Sequence, residues 1–364
     1  MKVRKFPLIR LVTGFLFALL LVSNNLYAEL PTIKVEGNEN TQTSYVVNLT
    51  KNCLENQKAE STAEVDSAGL KTCILNSQLF ADATIDLSSD AITVTIDERW
   101  TLIPVPIISS DSGGGTSVGV FLLEQNFLGR GKTVAIGATT SDSEGLLFFM
   151  YEDPSLFFSD WKLKFNFGTQ KSQIDLYDGD EEIDGIKNNA TFFNAFLGYK
   201  LHQDLTGSLI FQRVISRYES YEDYVRPKDF AANSYGLEFV LDKSDFKFYF
   251  QEGLRGELTV LKQFLRDDKD DLVTTGNLNL RWEFLTYSDQ ALQLSMGAGA
   301  VDKADRRSAI KIGSQIGARG VPDEGAWAES YGFLSADYQI PLMSGEDGTW
   351  TVAPFVDCGS INSI

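Results

Sequence analysis

Histidine is nearly missing from this 364-residue chain, with His202 the only one. That excludes a histidine-rich metal centre and a histidine proton relay. Bases are scarce beside acids: 32 Lys and Arg face 50 Asp and Glu, for a formal charge of −18. No nucleic-acid partner is expected, because clustered positive charge supplies most of the affinity for a phosphate backbone. Long apolar runs are lacking as well. Beyond the N-terminus no segment reaches the roughly 18 consecutive apolar residues that a spanning helix needs. What the chain does have is 43% hydrophobic and 12% aromatic residues, too many for a disordered acidic polymer. A mean hydropathy of −0.11 with 30 Gly suits a globular protein or a transmembrane β-barrel, whose alternating strands dilute the average.

Residues 1–28 carry Lys2, Arg4, Lys5 and Arg10 but no acid, followed by an apolar stretch from Leu11 to Val22. Leu26, Tyr27 and Ala28 then offer a cleavage site. This is the pattern of a secretory signal peptide. The mature chain is expected to leave the cytoplasm.

Two textures follow. Residues 29–98 read as a small α+β unit. Thr32–Gly37 alternates as a strand. Ser44–Leu54 and Ala68–Phe80 have helical spacing, and Ala83–Ser88 and Ala91–Asp97 alternate again. Cys53 and Cys73 fall one on each helix. In an oxidising compartment they either form a disulfide or stay as two buried thiols. From about residue 99 to 364 helical periodicity disappears. Strand follows strand, about a dozen or more, each of roughly 9–14 residues. In 277–286, Leu278, Leu280, Trp282 and Phe284 share one face, while Asn277, Asn279, Arg281 and Glu283 share the other. Short turns at 202–204, 251–253 and 288–290 alternate with long polar connections at 178–188, 222–233, 266–271 and 302–329. That asymmetry predicts a transmembrane antiparallel β-barrel, in which a closed sheet pairs every backbone group within lipid.

Sites of chemistry are few. Gly129–Thr133 resembles the tail of a phosphate-binding loop, but Asn126 stands where that motif needs its first Gly, and no helix follows. Asp267–Asp271 lacks the central Gly and closing Glu of a calcium loop. No catalytic constellation, metal site or cofactor is expected. One segment stands out. Arg319 sits among small residues in the longest connection, and Asp337 and Asp357 lie on interior-facing phases of the strands that follow. Either Arg319 folds back into the lumen and meets those carboxylates, or it is a solvated loop residue beside two unrelated acids.

Together these residues resemble the BamA/TamA superfamily of outer-membrane assembly proteins, the bacterial surface antigen family. Residues 31–98 resemble one POTRA domain in element order, in the early Val35–Asn38 and in the closing Val94–Glu98. Asn126, Gly129 and Gly131 match the family's Asn-x-Leu-Gly-x-Gly turn, and Pro154 stands in a turn similar to its Asn-Pro-Tyr-Phe type. Ala318–Val321, with Arg319 and Gly320, takes the place of the family's Val-Arg-Gly-Phe, and Asp337 and Asp357 fall where its acidic partners stand. The resemblance implies a signal peptide (1–28), a periplasmic POTRA-like domain (29–98) and an outer-membrane barrel (99–364). It also implies a non-covalent role in inserting or transporting client proteins. The implied partners are outer-membrane lipid, unfolded outer-membrane or secreted clients added at the POTRA edge strand, and periplasmic accessory proteins. A passive channel or structural barrel is the alternative. With 101–109 as first barrel strand, about eleven strands precede the Arg319 loop and two follow, an odd count in a fold that favours even ones. The expectation is a chain short of roughly sixteen strands at its C-terminus, or a reduced barrel of about twelve in which 101–109 is a linker.

Overall fold

The computed structural model describes residues 32–57, 62–88, 90–110, 116–141, 145–178, 181–220, 229–246, 250–265, 272–287, 289–302, 309–312, 319, 326–345 and 348–363. The signal-peptide segment, Gly320 and the 266–271 connection lie outside them.

The first unit is a three-stranded sheet with two helices. Its order is β1 (Thr32–Glu36), β3 (Ala91–Glu98) and β2 (Phe80–Leu87), with β1 parallel and β2 antiparallel to β3. The central strand buries Ile92, Val94 and Ile96, alternating against residues that stay partly exposed. Helix α1 (Thr43–Gln57) turns Val46, Thr50, Cys53 and Leu54 onto that sheet at helical spacing. Helix α2 (Ser67–Leu75) starts at Asp66, whose carboxylate accepts the Ala68 N–H at 3.0 Å. It adds Leu70 and Ile74 to the same core. Each fully buried aliphatic side chain contributes about 1.5–3 kcal/mol. The second helix ends at Leu75, not at the expected Phe80. Gln78 adopts a left-handed φ of 61°, and Ser77 donates its hydroxyl back to the Ile74 carbonyl at 2.7 Å. Phe80 therefore begins β2 and enters the core fully buried. Cys53 and Cys73 are joined in a disulfide that ties α1 to α2, so the free-thiol alternative does not apply. Cys358 is free and exposed.

The second unit is one antiparallel sheet of 15 strands. It runs in chain order from β4 (Leu102–Ser110) and β5 (Thr116–Phe127) through β6 (Lys132–Thr140), β7 (Gly145–Asp153), β8 (Trp161–Asp178), β9 (Glu181–His202) and β10 (Leu205–Ser220). It continues through β11 (Phe230–Phe246), β12 (Gln251–Leu265), β13 (Leu272–Leu285) and β14 (Ala291–Val301) to β16 (Ala326–Gly345) and β18 (Phe355–Ser363). Two short strands, β15 (Ile310–Ile312) and β17 (Gly348–Val352), pair with β16. Residues 102–110 form the first strand of this sheet, not a linker. Pro104 and Pro106 remove two donors from it, which a strand at the start of a sheet tolerates. Among the described residues β4 pairs only with β5, and β18 only with β16.

Several strands outrun the expected length. β8 to β12 span 15–22 residues, and 178–188, expected as a long loop, is almost wholly the paired ends of β8 and β9. Backbone pairing continues past the apolar band whatever the side chains are, so polar composition alone misplaced the boundary. Residues 251–253, expected as a turn, open β12.

The two faces differ in chemistry. On β13, Trp282 is exposed, whereas Glu283 beside it is fully buried and bonded to Arg281 at 2.6 Å. Val118, Val120 and Leu122 on β5, Leu237 and Phe239 on β11, Leu294 and Met296 on β14 and Leu334 on β16 share the exposed phase. The ladder carries Glu283, Gln293, Asp337 and Arg281 to the other face. An apolar exterior around a polar interior is the inverse of a soluble sheet with one wet face, and it is what a barrel wall in lipid requires.

Candidate functional site

The interior site is built where β16 and β18 pair. Ser335 lies directly opposite Asp357, and Asp337 opposite Phe355, so all four side chains share the interior phase. Arg319 arrives from the connection between β14 and β16 and fills the space between the two acids. Its Nε donates to one Asp357 oxygen at 2.9 Å, and a terminal nitrogen donates to the other at 2.6 Å. The second terminal nitrogen donates to Asp337. The Arg319 backbone N–H adds a bond to Asp357 at 3.1 Å. Ser335 accepts from the guanidinium at 2.7 Å and donates to Asp357 at 2.7 Å. The Phe355 ring lies 3.6 Å from the guanidinium carbon, close enough for a cation–π contact. A planar fork on a carboxylate gives fixed geometry as well as energy, so the loop is tied to two adjacent strands at one point.

The wall around this clamp is tight. A Cβ on Gly297 would lie 2.1 Å from the Phe333 ring, and one on Gly299 would lie 2.4 Å from the Tyr331 ring. The two rings stack in parallel, 6.3 Å apart. Below them an interior cavity of about 540 Å³ is lined by Arg255, Arg281, Arg319, Phe333 and Asp337. Parity placed Asp337 and Asp357 on the interior phase and left open whether Arg319 meets them; the geometry shows that it does. Ser335 and Phe355 were missed, although both keep the same phase: Ser335 is two residues before Asp337, and Phe355 is two before Asp357.

A second cluster joins the α+β unit to the sheet. The turn after β5 contains Asn126, Gly129 and Gly131. The Asn126 amide donates to the Thr41 hydroxyl at 2.8 Å and accepts the Gly131 N–H at 2.9 Å. The Gln42 backbone N–H donates to the Gly129 carbonyl at 2.8 Å, and its side chain donates to the Leu128 carbonyl at 2.9 Å. Both glycines sit at positive φ. A Cβ on Gly129 would strike the Asn40 carbonyl at 2.4 Å, and one on Gly131 would strike the Tyr45 ring at 2.3 Å. Burial pushes the Tyr45 phenol up to about 12. Glu98, the last residue of β3, accepts the Asn40 and Thr41 backbone N–H groups at 2.8 and 2.7 Å and the Asn40 amide at 3.0 Å. Partial desolvation pushes the Glu98 carboxyl up, but these bonds together outweigh it and hold it below the usual carboxylate range. Sequence reading saw the glycine turn as a motif and missed Glu98 and residues 40–42, its docking partners. Pro154 follows Asp153, a buried carboxylate that pairs with Lys132 at 2.9 Å and caps the Ser155 N–H at 3.1 Å.

No protein-family model matches the chain, and no curated protein matches its sequence. Solved structures do. BamA from Haemophilus ducreyi lacking POTRA domains 1–3 is similar over 91% of this chain and 71% of its own, with a TM-score of 0.55 and 14% identity. CdiB from Acinetobacter baumannii is similar over 92% and 64%, with a TM-score of 0.59 and 11% identity. CdiB from Escherichia coli is similar over 90% and 65%, with a TM-score of 0.60 and 13% identity. The chain thus spans just under two thirds of either CdiB. At such identities the likeness is one of fold: a β-barrel of the BamA and CdiB type.

Arg319→Ala leaves two interior carboxylates facing each other and should lower barrel stability by roughly 1–3 kcal/mol, a partly solvated site tempering the loss. Arg319→Lys should recover only part of that. Urea titration read by heat-modifiable gel migration measures both, and an unchanged midpoint for Arg319→Ala would show the clamp to be idle. Glu98 has a depressed folded pKa, so its contribution is complete above the ordinary value of 4.5 and is lost as pH falls through the lower folded value. Spin labels at Lys51 and Gln203, in a Cys358→Ser background, should give a narrow distance distribution at pH 7 that broadens below pH 4. Glu98→Ala should be broad at both.

Proposed function

We propose that this chain is an outer-membrane protein of the assembly or translocation type, with residues 29–98 a single POTRA-like domain in the periplasm and residues 99–364 the barrel. The observation that carries this reading is the docking of an α+β unit, with an unpaired sheet edge, onto one end of a barrel shared in fold with BamA and CdiB. Among the described residues β2 pairs only with β3, so its outer edge is free to take an extended client segment. Backbone hydrogen bonds then supply affinity without demanding a particular sequence. The mechanism involves no covalent chemistry. The Arg319 clamp acts inside the barrel toward the same end, where Asp337 pairs with Gln293 just past the 286–290 turn, and holds its connection against β16 and β18 while client strands are handled. The glycine turn fixes where the captured segment is presented to the barrel. Outer-membrane lipid, unfolded outer-membrane or secreted clients and periplasmic accessory proteins are the partners this reading implies.

A passive channel would need no client. The discriminating experiment titrates the detergent-solubilised full chain with a labelled ten-residue peptide of alternating apolar and polar residues, read by fluorescence anisotropy. Saturable binding is expected, and N-methylation of alternate peptide nitrogens should abolish it. Equal binding of the methylated peptide, or no binding together with steady ion conductance, favours the channel.

A further inference from the structure

The exterior carries a feature that client handling does not use. Pairing places Arg213 beside Phe193, and Phe193 beside Phe167, on the exposed phase of β8 to β10. Four residues on, Arg217 lies across from Asn189, which lies across from Lys171. Lys171, Arg213 and Arg217 are all exposed, and none has a carboxylate partner among the described residues. Of the acids nearby, Glu219 sits directly across from Lys187, and Asp229 accepts the Tyr218 backbone N–H at 2.9 Å. In a chain of charge −18, three bases gathered on a lipid-facing wall are out of keeping with composition. They lie toward the end of the barrel opposite the α+β unit, since their strands enter from the 203–204 turn.

Two hollows adjoin there. The lower one, about 430 Å³, is lined mainly by exterior apolar side chains, among them Ile136, Leu147, Phe149, Phe167 and Phe193, with Arg213 its single charged residue. The upper one, about 580 Å³, is polar and is lined by Lys171, Lys187, Asn188, Asn189 and one carboxylate, Glu219. They share Leu147 and Thr169. An apolar slot beneath a basic, amide-bearing shelf has the polarity profile of a lipid: acyl chain below, anionic headgroup above. A guanidinium on a lipid-facing wall is costly unless it reaches an anion at the interface. Lys171 and Arg217, two strands apart, are about 10 Å from each other, with an amide between them.

We propose that the outer wall of β6 to β10 holds a phosphorylated lipid of the far leaflet. Its acyl chain lies in the Phe167–Phe193 slot, and its phosphate is held by Lys171, Arg213 and Arg217. The proposal rests on the membrane-barrel reading above.

The test uses the full chain in neutral detergent and native mass spectrometry, with diphosphoryl lipid A and its dephosphorylated form as probes. The wild type should retain the phosphorylated form at least tenfold better. The triple variant Lys171→Gln, Arg213→Gln, Arg217→Gln should lose that preference, and the charge-keeping Lys171→Arg, Arg213→Lys, Arg217→Lys should hold it. Equal retention of both lipids by the wild type, or an undiminished preference in the glutamine variant, overturns the proposal. Heat-modifiable migration of each protein checks that it folds. Insertion into phosphatidylcholine vesicles without any lipid preference removes only the lipid site, whereas failure of the wild type to insert removes the barrel reading itself.

Discussion

The structure depends on backbone pairing between neighbouring strands of one long antiparallel ladder. In hydrocarbon an unpaired N–H or C=O has no water to turn to, so the sheet must satisfy its own backbone. Once it does, the side chains are sorted by a period of two. Exterior positions take Leu, Val, Phe and Trp; interior positions take Arg, Glu, Asn and Asp. The Arg281–Glu283 pair and the Arg319 clamp exist because the ladder brings every second residue to a shared, partly dry interior, where charges need partners. The same rule makes an unpartnered exterior arginine conspicuous.

The two clusters lie toward the same end of the barrel, one on its rim and one in its interior, and do different work. At the rim, glycines at positive φ let a hairpin turn press against the α+β unit, while a carboxylate collects the N–H groups of residues 40 and 41. In the interior, a guanidinium ties a long connection to two adjacent strands. Farther along β14 and β16 lies a wall whose glycines, opposite Phe333 and Tyr331, make room for rings.

Much of this was legible in the residues, for a physical reason. Alternation is local, so the order of the strands, the faces of β13 and β16, and the interior phase of Asp337 and Asp357 can be read from spacing alone. The eleven long strands from β4 to β14, ahead of Arg319, agree with the expected number. Strand ends were less legible, because pairing outlasts the apolar pattern, as in β8 and β9. The end of α2 was misplaced because Leu79 and Phe80 fit either a helix or the core side of a strand. Glu98 was invisible because its partners are backbone groups 57 and 58 residues away. The disulfide could not be chosen over free thiols until the helices were placed.

Phase is therefore the quantity to measure. Single spin labels at each position from Asn277 to Leu285, in the Cys358→Ser background and reconstituted in vesicles, can be read for accessibility to oxygen and to a water-soluble nickel chelate. The account predicts a period-two pattern: Leu278, Leu280, Trp282 and Phe284 favour oxygen, and Asn277, Asn279, Arg281 and Glu283 favour nickel. Equal nickel access on both phases would mean that the sheet does not stand in lipid, which contradicts the central claim.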